Sequence, residues 1–249
     1  MKTLKLFVML TFCITPFAYT QTAQEIVDTY IENIGGNDAW SKINSMEVKG
    51  IGKQQGVDYP FVATYLKDGR GVINVDIQGQ SFIVEAFDGE TAWAMNFQTQ
   101  KAEAWDSEES YNYKINAKDN LPDAFMDYKE KGYAIELLGK ESWEGTECYK
   151  IKLTKTPQMS DGKKEDNVEY YFFDIDNSVP IAMEYKVMSG PAKGTTAQSI
   201  FSDYQEVDGL YLPFTRIDKF SGQVGLEMIF KSVSFNGEVD DSIFKMPKE

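Results

Sequence analysis

The sequence predicts a mainly β protein, an α+β chain in which one antiparallel meander follows a single amphipathic helix. From Met46 onward, about a dozen short apolar, β-branched and aromatic runs are separated by turn signals. Asp-Gly recurs at Asp68-Gly69, Asp88-Gly89, Asp161-Gly162 and Asp208-Gly209, with Asn236-Gly237 as a close relative. These dipeptides supply the positive φ angles of tight hairpins, so Asp88 in "AFDGETAWAM" reads as a bend and not as a catalytic group. No helical pattern alternates with the strands, which excludes a parallel α/β sheet.

The chain begins "MKTLKLFVMLTFCITPFAYTQ", two lysines followed by an apolar run from Leu6 to Tyr19. The run is shorter than the roughly 20 residues that span a bilayer, and its charged front end fits a cleavable export signal. The expected organisation is a leader over 1–20, cut before Gln21, and one domain over 21–249. Phe12 stands where a lipidation box needs a small residue before its cysteine, so Cys13 is not expected to carry a lipid. Removal of the leader makes Cys148 the only cysteine, which forbids an internal disulfide even in an oxidising compartment.

Thr22 with Glu25 forms a capping box, and Ile26, Val27, Tyr30, Ile31 and Ile34 follow at helical spacing before Gly35-Gly36. Asn37 or Asp38 caps a second short turn carrying Trp40 and Ile43. Strands are expected at 45–54, 59–67, 70–77, 81–87 and 91–97, then at 133–139, 146–154, 167–174, 180–187, 195–204, 210–220 and 223–235. Residues 98–130 interrupt the meander with an acidic mixed stretch in which "LPDAFMDY" suits a short helix; an insertion of this size is often a lid. Residues 155–166 read as a solvated loop.

Several strands are apolar on both faces. In "VEYYFFD", Val168, Tyr170 and Phe172 point one way and Tyr171 and Phe173 the other; Trp93, Met95 and Phe97 share a face. A sheet with one wet face alternates more cleanly. The surplus either fills a sandwich core or lines a cavity on the concave side of a curved sheet.

The chain has no histidine, which removes Ser-His-Asp and Cys-His mechanisms and His-ligated metals. Cys148 has no visible activating partner, "GIGKQQG" lacks the spacing of a phosphate loop, and "DIDN" lacks the glycine and distal glutamate of a calcium loop. The pairs Glu108-Glu109 and Asp240-Asp241 read as solvated charge. No catalytic group, cofactor or metal is therefore expected. A net charge of −14 repels phosphate backbones and anionic head groups, so nucleic acid is not an expected partner. Arg70 and Arg216 are the only arginines, and either would stand out if buried.

The leader followed by "AQEIVDTYIENIGG", the hairpin "AFDGETAW", the strand pair "YYFFDIDNSVPIAMEY", the segment "FSDYQEVDGLYLPF" and the ending "DDSIFKMP" together resemble the LolA/LolB-like outer-membrane lipoprotein-sorting proteins of Bacteroidetes-type bacteria. The resemblance implies an unclosed half-barrel of about 11 antiparallel strands, plugged by N-terminal and mid-chain helices, with an apolar hollow that holds acyl chains. It implies a monomeric periplasmic carrier of lipoproteins or lipids, with inner-membrane donor and outer-membrane acceptor proteins as partners. Such a cargo is held by burial of methylenes, each contributing about 0.8 kcal/mol, and needs no catalytic group. The expected cavity lining is Phe82, Val84, Trp93, Met95, Phe172 and Met183; the expected lid or latch residues are Ile31, Arg70 and Phe125. The sequence departs from the family at "YLKDGRGVI", which lacks the latch Arg-Pro of the soluble carriers and leaves Arg70 as its substitute. Two rivals remain: a secreted or surface interaction protein with a filled interior, and a carboxylate-dependent hydrolase.

Overall fold

The computed structural model describes residues 21–188 and 192–247; the expected leader lies outside the described residues. Helix α1 (Ala23–Asn33) starts where the capping box places it: the Thr22 hydroxyl accepts from the Glu25 amide at 3.2 Å, and the Glu25 carboxylate accepts from the Thr22 amide at 2.7 Å. After the one-turn α2 (Asn37–Trp40) come β1 (Ser45–Gln54), β2 (Val57–Leu66), β3 (Gly71–Ile77), β4 (Gln80–Phe87), β5 (Ala92–Met95) and β6 (Ala102–Ala104). Helix α3 (Ser107–Asn116) precedes β7 (Ala134–Trp143) and β8 (Thr146–Thr154). A small hairpin, β9 (Gln158–Ser160) and β10 (Lys163–Glu165), leads to β11 (Val168–Asp174), β12 (Pro180–Lys186), β13 (Thr196–Val207), β14 (Leu210–Phe220) and β15 (Gln223–Phe235). A 3-10 turn, Asp241–Phe244, follows.

All but β9 and β10 join one 13-stranded antiparallel sheet in the order β6-β5-β4-β3-β2-β1-β15-β14-β13-β12-β11-β8-β7. The two edges, β6 and β7, are not paired with each other, so the sheet is an open half-barrel. The edges are consecutive in sequence, and the chain between them, 105–133, is what crosses the seam.

Curvature has local causes. Register shifts at Lys49/Gly50, Ile73/Asn74, Leu137/Gly139, Phe172/Phe173 and Asp218/Lys219 insert bulges that bend the strands. At Gly50 a Cβ would lie 2.6 Å from the Ile229 carbonyl oxygen and 2.7 Å from the Phe61 ring, so only glycine allows the sheet to fold this tightly. Gly35, at φ 117°, lets the end of α1 abut the β13–β14 turn, where the Tyr211 amide donates to the Ile34 carbonyl at 3.0 Å. The helix is thereby tied to the concave side of the sheet.

The expected strands are present within a few residues of their bounds, and two expectations are corrected. "LPDAFMDY" is a run of turns and bends, not a helix; the helix lies earlier, over "SEESYNYKIN", behind its own capping box of Asp106 and Glu109. Residues 155–166 are not merely a loop, because β9 and β10 form there; Asn112 of α3 bonds Met159 in both directions at 2.7 Å, and Glu108 accepts from the Asp161 and Gly162 amides. Among the described residues no helix is long and apolar enough to cross a membrane.

Candidate functional site

The two faces of the sheet account for the double-sided strands. On the outer face, Val72, Ala86 and Trp93 pack with Phe244 of the C-terminal turn, and the Trp93 indole donates to the Phe244 carbonyl at 2.8 Å. A second outer cluster joins Cys148, Phe172 and Ala182 beneath Trp143, whose ring lies 4.4 Å from that of Phe172. Part of the surplus apolar surface is thus covered by the chain's own ends and edges and has no ligand to meet. Burial raises the Cys148 thiol pKa, as expected of a packed strand cysteine with no activating partner.

The inner face carries the main core. Met46 and Val48 of β1, Phe61 and Ala63 of β2, Phe173 of β11 and Phe214 of β14 face Ile26, Val27, Tyr30 and Ile31 of α1. Leu121, Phe125 and Tyr128 of the seam-crossing segment fill the space beside the helix. Phe125 meets Tyr30, Tyr171 and Phe173 edge to face, with ring centroids 6.1, 4.7 and 5.2 Å away. These residues form a plug on the concave face.

Around this core, further inner-face side chains pack against it but stay partly accessible: Ile73 and Val75 of β3, Met183 of β12, Phe201 of β13, and Met228 and Phe230 of β15. Arg216 of β14 stands among them. Its side chain keeps 38% of its surface, so it is not packed in the core. Burial pulls its pKa down, and Asp218 more than offsets this, so it stays charged; Arg216 Nε donates to Asp218 Oδ1 at 2.9 Å. Across the hollow, Glu85 of β4 accepts from the Tyr113 hydroxyl of α3 at 2.9 Å. Burial raises the Glu85 pKa against the opposing effects of Tyr113 and Arg216.

The plug is pinned by buried polar groups. The Tyr30 hydroxyl donates to Asp123, whose other oxygen accepts from the Phe125 and Met126 amides. Lys155 lies between Asp119 at 2.6 Å and Glu169 at 3.0 Å, and Lys131 pairs with Asp119 at 3.1 Å. Burial raises the Asp123 pKa more than its hydrogen bonds and Lys131 lower it. A carboxyl raised on folding stabilises fully below its unfolded pKa of about 4, and that contribution is lost as pH rises through the folded value. Asp123→Asn is therefore expected to flatten the fall in thermal midpoint with rising pH above about 4, measured by unfolding scans at a series of pH values. An unchanged pH profile would show that Asp123 does not titrate differently in the folded protein.

The structure separates the residues expected to line the cavity. Met183 faces inward, and Phe82 is paired with Val75 on the inner face, with its ring 5.4 Å from Phe97. Val84 is the extra residue of the bulge in β4. Trp93, Met95 and Phe172 belong to the outer clusters, because the register pairs Trp93 with Ala86 and Phe172 with Ala182. Phe97 falls beyond β5 and is 54% exposed, so it does not continue the Trp93 face. Ile31 and Phe125 are buried in the inner-face core. Arg70 does not reach it: the guanidinium pairs with Asp68 and Asp241 and lies 5.3 Å from the Phe244 ring, pinning the C-terminal turn. Sequence reasoning missed Arg216, Tyr65 and Tyr185 as inner-face groups; the rarity of arginine was the one signal pointing to the first. Among the described residues no group of three or more Cys, Asp or Glu side chains is arranged to hold a metal.

No family model matches the chain, and no curated protein matches its sequence. Solved structures do match its fold. A DUF1329 family protein from Desulfovibrio piger superposes with a TM-score of 0.57 at 13% identity, covering 91% of this chain and 98% of the other. A LolA superfamily protein from Nitrosomonas europaea gives 0.53 at 14% identity over 91% and 98%. An outer membrane lipoprotein-sorting protein domain from Vibrio parahaemolyticus gives 0.53 at 13% identity over 88% and 97%. The half-barrel expected from the sequence is the fold these structures share.

Proposed function

We propose that the protein is a non-enzymatic periplasmic carrier that shelters acyl chains of lipoproteins or lipids between its curved sheet and its plug and moves them towards the outer membrane. The observation that carries this reading is the unequal filling of the concave face. The core under α1 and residues 121–128 is fully buried, while Met183, Phe201, Met228 and Phe230, packed against it on the same concave face, stay partly exposed. Apolar surface is normally buried fully or left scattered on the outside. Partly wetted aliphatic and aromatic groups lining one concavity are what a hydrocarbon tail covers, at about 25 cal/mol per Å² removed from water.

The solved neighbours support the reading by analogy of fold, since one is named an outer membrane lipoprotein-sorting protein domain and another a LolA superfamily protein. The export signal read from the sequence supplies the compartment. The acidic surface, with a formal charge of −14, disfavours resting on anionic lipid and suits a diffusing monomer. The carboxylate pairs that a hydrolase could use have structural work. Glu108 holds the β9–β10 turn, Glu109 and Asp240 cap turns, and Asp241 pairs with Arg70.

The test is native mass spectrometry of protein purified from the periplasm without detergent, together with uptake of a fluorescent fatty acid. A carrier shows an added lipid or acylated peptide mass and takes up one to a few probe molecules. A homogeneous ligand-free mass with no probe uptake would favour the interaction protein with a filled interior.

A further inference from the structure

The two ends of the sheet turn on different residues. Antiparallel order puts the β1–β2, β3–β4, β5–β6 and β14–β15 hairpins at one end of their strands, and β2–β3, β4–β5 and β13–β14 at the other. The second set turns on Asp68-Gly69, Asp88-Gly89 and Asp208-Gly209. The first set uses Gln55-Gly56, Gln78-Gly79 and Ser221-Gly222, and its tips, 54–57, 77–80, 96–100 and 220–225, contain no charged residue. Gln55, Gln78, Gln100 and Ser221 hold φ angles of 51°, 57°, 54° and 50°. At such angles Asp and Asn are the favoured side chains after glycine, as at Asp208 with φ 52°. Glutamine at this end forgoes that preference and, with it, the charge.

The uncharged tips also carry apolar side chains on one side. Phe61, Ala63 and Tyr65 of β2 and Ile73 and Val75 of β3 belong to the inner-face core, so alternation turns Val57 and Ile77 the same way. Phe82 pairs with Val75, and the Phe97 ring lies 5.4 Å from its own. Phe220 pairs with Ala197, which shares a face with the inner-facing Phe201. Val57, Phe97 and Phe220 are 48%, 54% and 40% exposed. They form an apolar lip that continues the partly accessible inner-face side chains Val75 and Met228 to the end of the sheet. Single exposed apolar residues are ordinary on a surface; a group of them bordering one concavity is not.

The flanking Lys53, Asp58, Asp76 and Lys101 sum to zero, so this end is neutral on a chain of net charge −14. Carboxylates elsewhere on the surface are repelled by anionic head groups. A neutral edge of aliphatic and aromatic side chains is the part of such a protein that can enter the interfacial layer of a bilayer. A partner recognised through charge finds nothing here to pair with.

We propose that this lip is the face on which the protein settles on a lipid bilayer, so that tails pass between the membrane and the concave side without crossing water. The proposal rests on the acyl-binding reading and names the surface at which cargo is exchanged.

The experiment loads the purified protein with a fluorescent fatty acid and follows its transfer to phosphatidylcholine vesicles by stopped flow. Exchange through contact makes the rate rise in proportion to vesicle concentration. The Val57→Gln, Phe97→Gln double variant, altered at two half-exposed positions, should keep its thermal midpoint and its uptake of fatty acid from solution while transfer slows by about tenfold. Gln55→Asp with Gln78→Asp, which gives this end the turn residue of the other, should slow transfer several-fold to vesicles carrying phosphatidylglycerol and less to neutral ones. A rate independent of vesicle concentration, or unchanged transfer in folded variants of both kinds, would overturn the bilayer-docking lip and leave the acyl-binding reading standing. Failure of the parent to take up fatty acid from solution would overturn both.

Discussion

Replacing Lys155 with methionine is expected to destabilise the protein by about 3–5 kcal/mol, the cost of stranding buried carboxylates without their cation. The Lys155 side chain is only 4% exposed and sits within 3.0 Å of both Asp119 and Glu169. Burial alone would lower its pKa, but Glu169 and Asp119 raise it, so the ammonium is held charged. The Tyr171 hydroxyl donates to the far oxygen of Glu169 at 2.9 Å, and Lys131 braces Asp119, so the loss spreads through one network. Asp119 belongs to the seam-crossing segment, whereas Glu169 lies on β11 and Lys155 just beyond β8. The variant therefore frees the plug from the sheet as well as weakening the fold. For a domain of this size the thermal midpoint should fall by roughly 6–20 °C. Adding Asp119→Asn and Glu169→Gln should recover most of it, because the stranded charges go with their partner. A fall of less than about 1 kcal/mol in chemical denaturation would show that the network is solvated.

Phe125→Ala should also cost about 3–5 kcal/mol, the range for truncating a fully buried aromatic side chain. Its second expected consequence has the opposite sign for function. Phe125 is the centre of the aromatic contacts that seat the 121–128 segment against Tyr30, Tyr171 and Phe173. Emptying that position creates space and loosens the plug, so stopped-flow uptake of a fluorescent fatty acid should be faster than in the parent. Phe125→Leu, which removes less volume, should shift both quantities in the same directions by less. Lower stability with unchanged uptake would mean that the segment is ordinary core and that tails reach the hollow elsewhere.

Much of the fold was legible because its signals are local. The Thr22/Glu25 box, the period of Ile26, Val27, Tyr30 and Ile31, and the Asp-Gly turns fixed the first helix and the hairpins, with Asp161-Gly162 and Asp208-Gly209 both at positive φ. Helix α3 was legible in principle through Asp106 and Glu109, but its polar sequence carries no apolar stripe; it holds its place through Asn112, Tyr113 and Glu108. The site was less legible because the side of a sheet that faces inward is a tertiary fact. Alternation places Trp93 and Met95 on one face and Ala92 on the other, and only the C-terminal turn, whose Phe244 lies 151 positions away, makes the Trp93 side the outer one. Bulges add to this, since the extra residue at Val84 resets which neighbours share a face. The setting of Arg70 was hidden for the same reason: its partners Asp241 and Phe244 come from the far end of the chain.

The central claim is that a hydrocarbon tail occupies the concave side of the sheet beside Arg216. Its most direct test is photo-crosslinking with a diazirine-bearing palmitoyl lipid, followed by peptide mapping. Modification concentrated on the peptides that carry Met183, Phe201 and Met228, and suppressed by excess unlabelled lipid, is the result the account predicts. Label confined to the outer-face residues around Trp93 and Phe172, or scattered over the surface without competition, would contradict it.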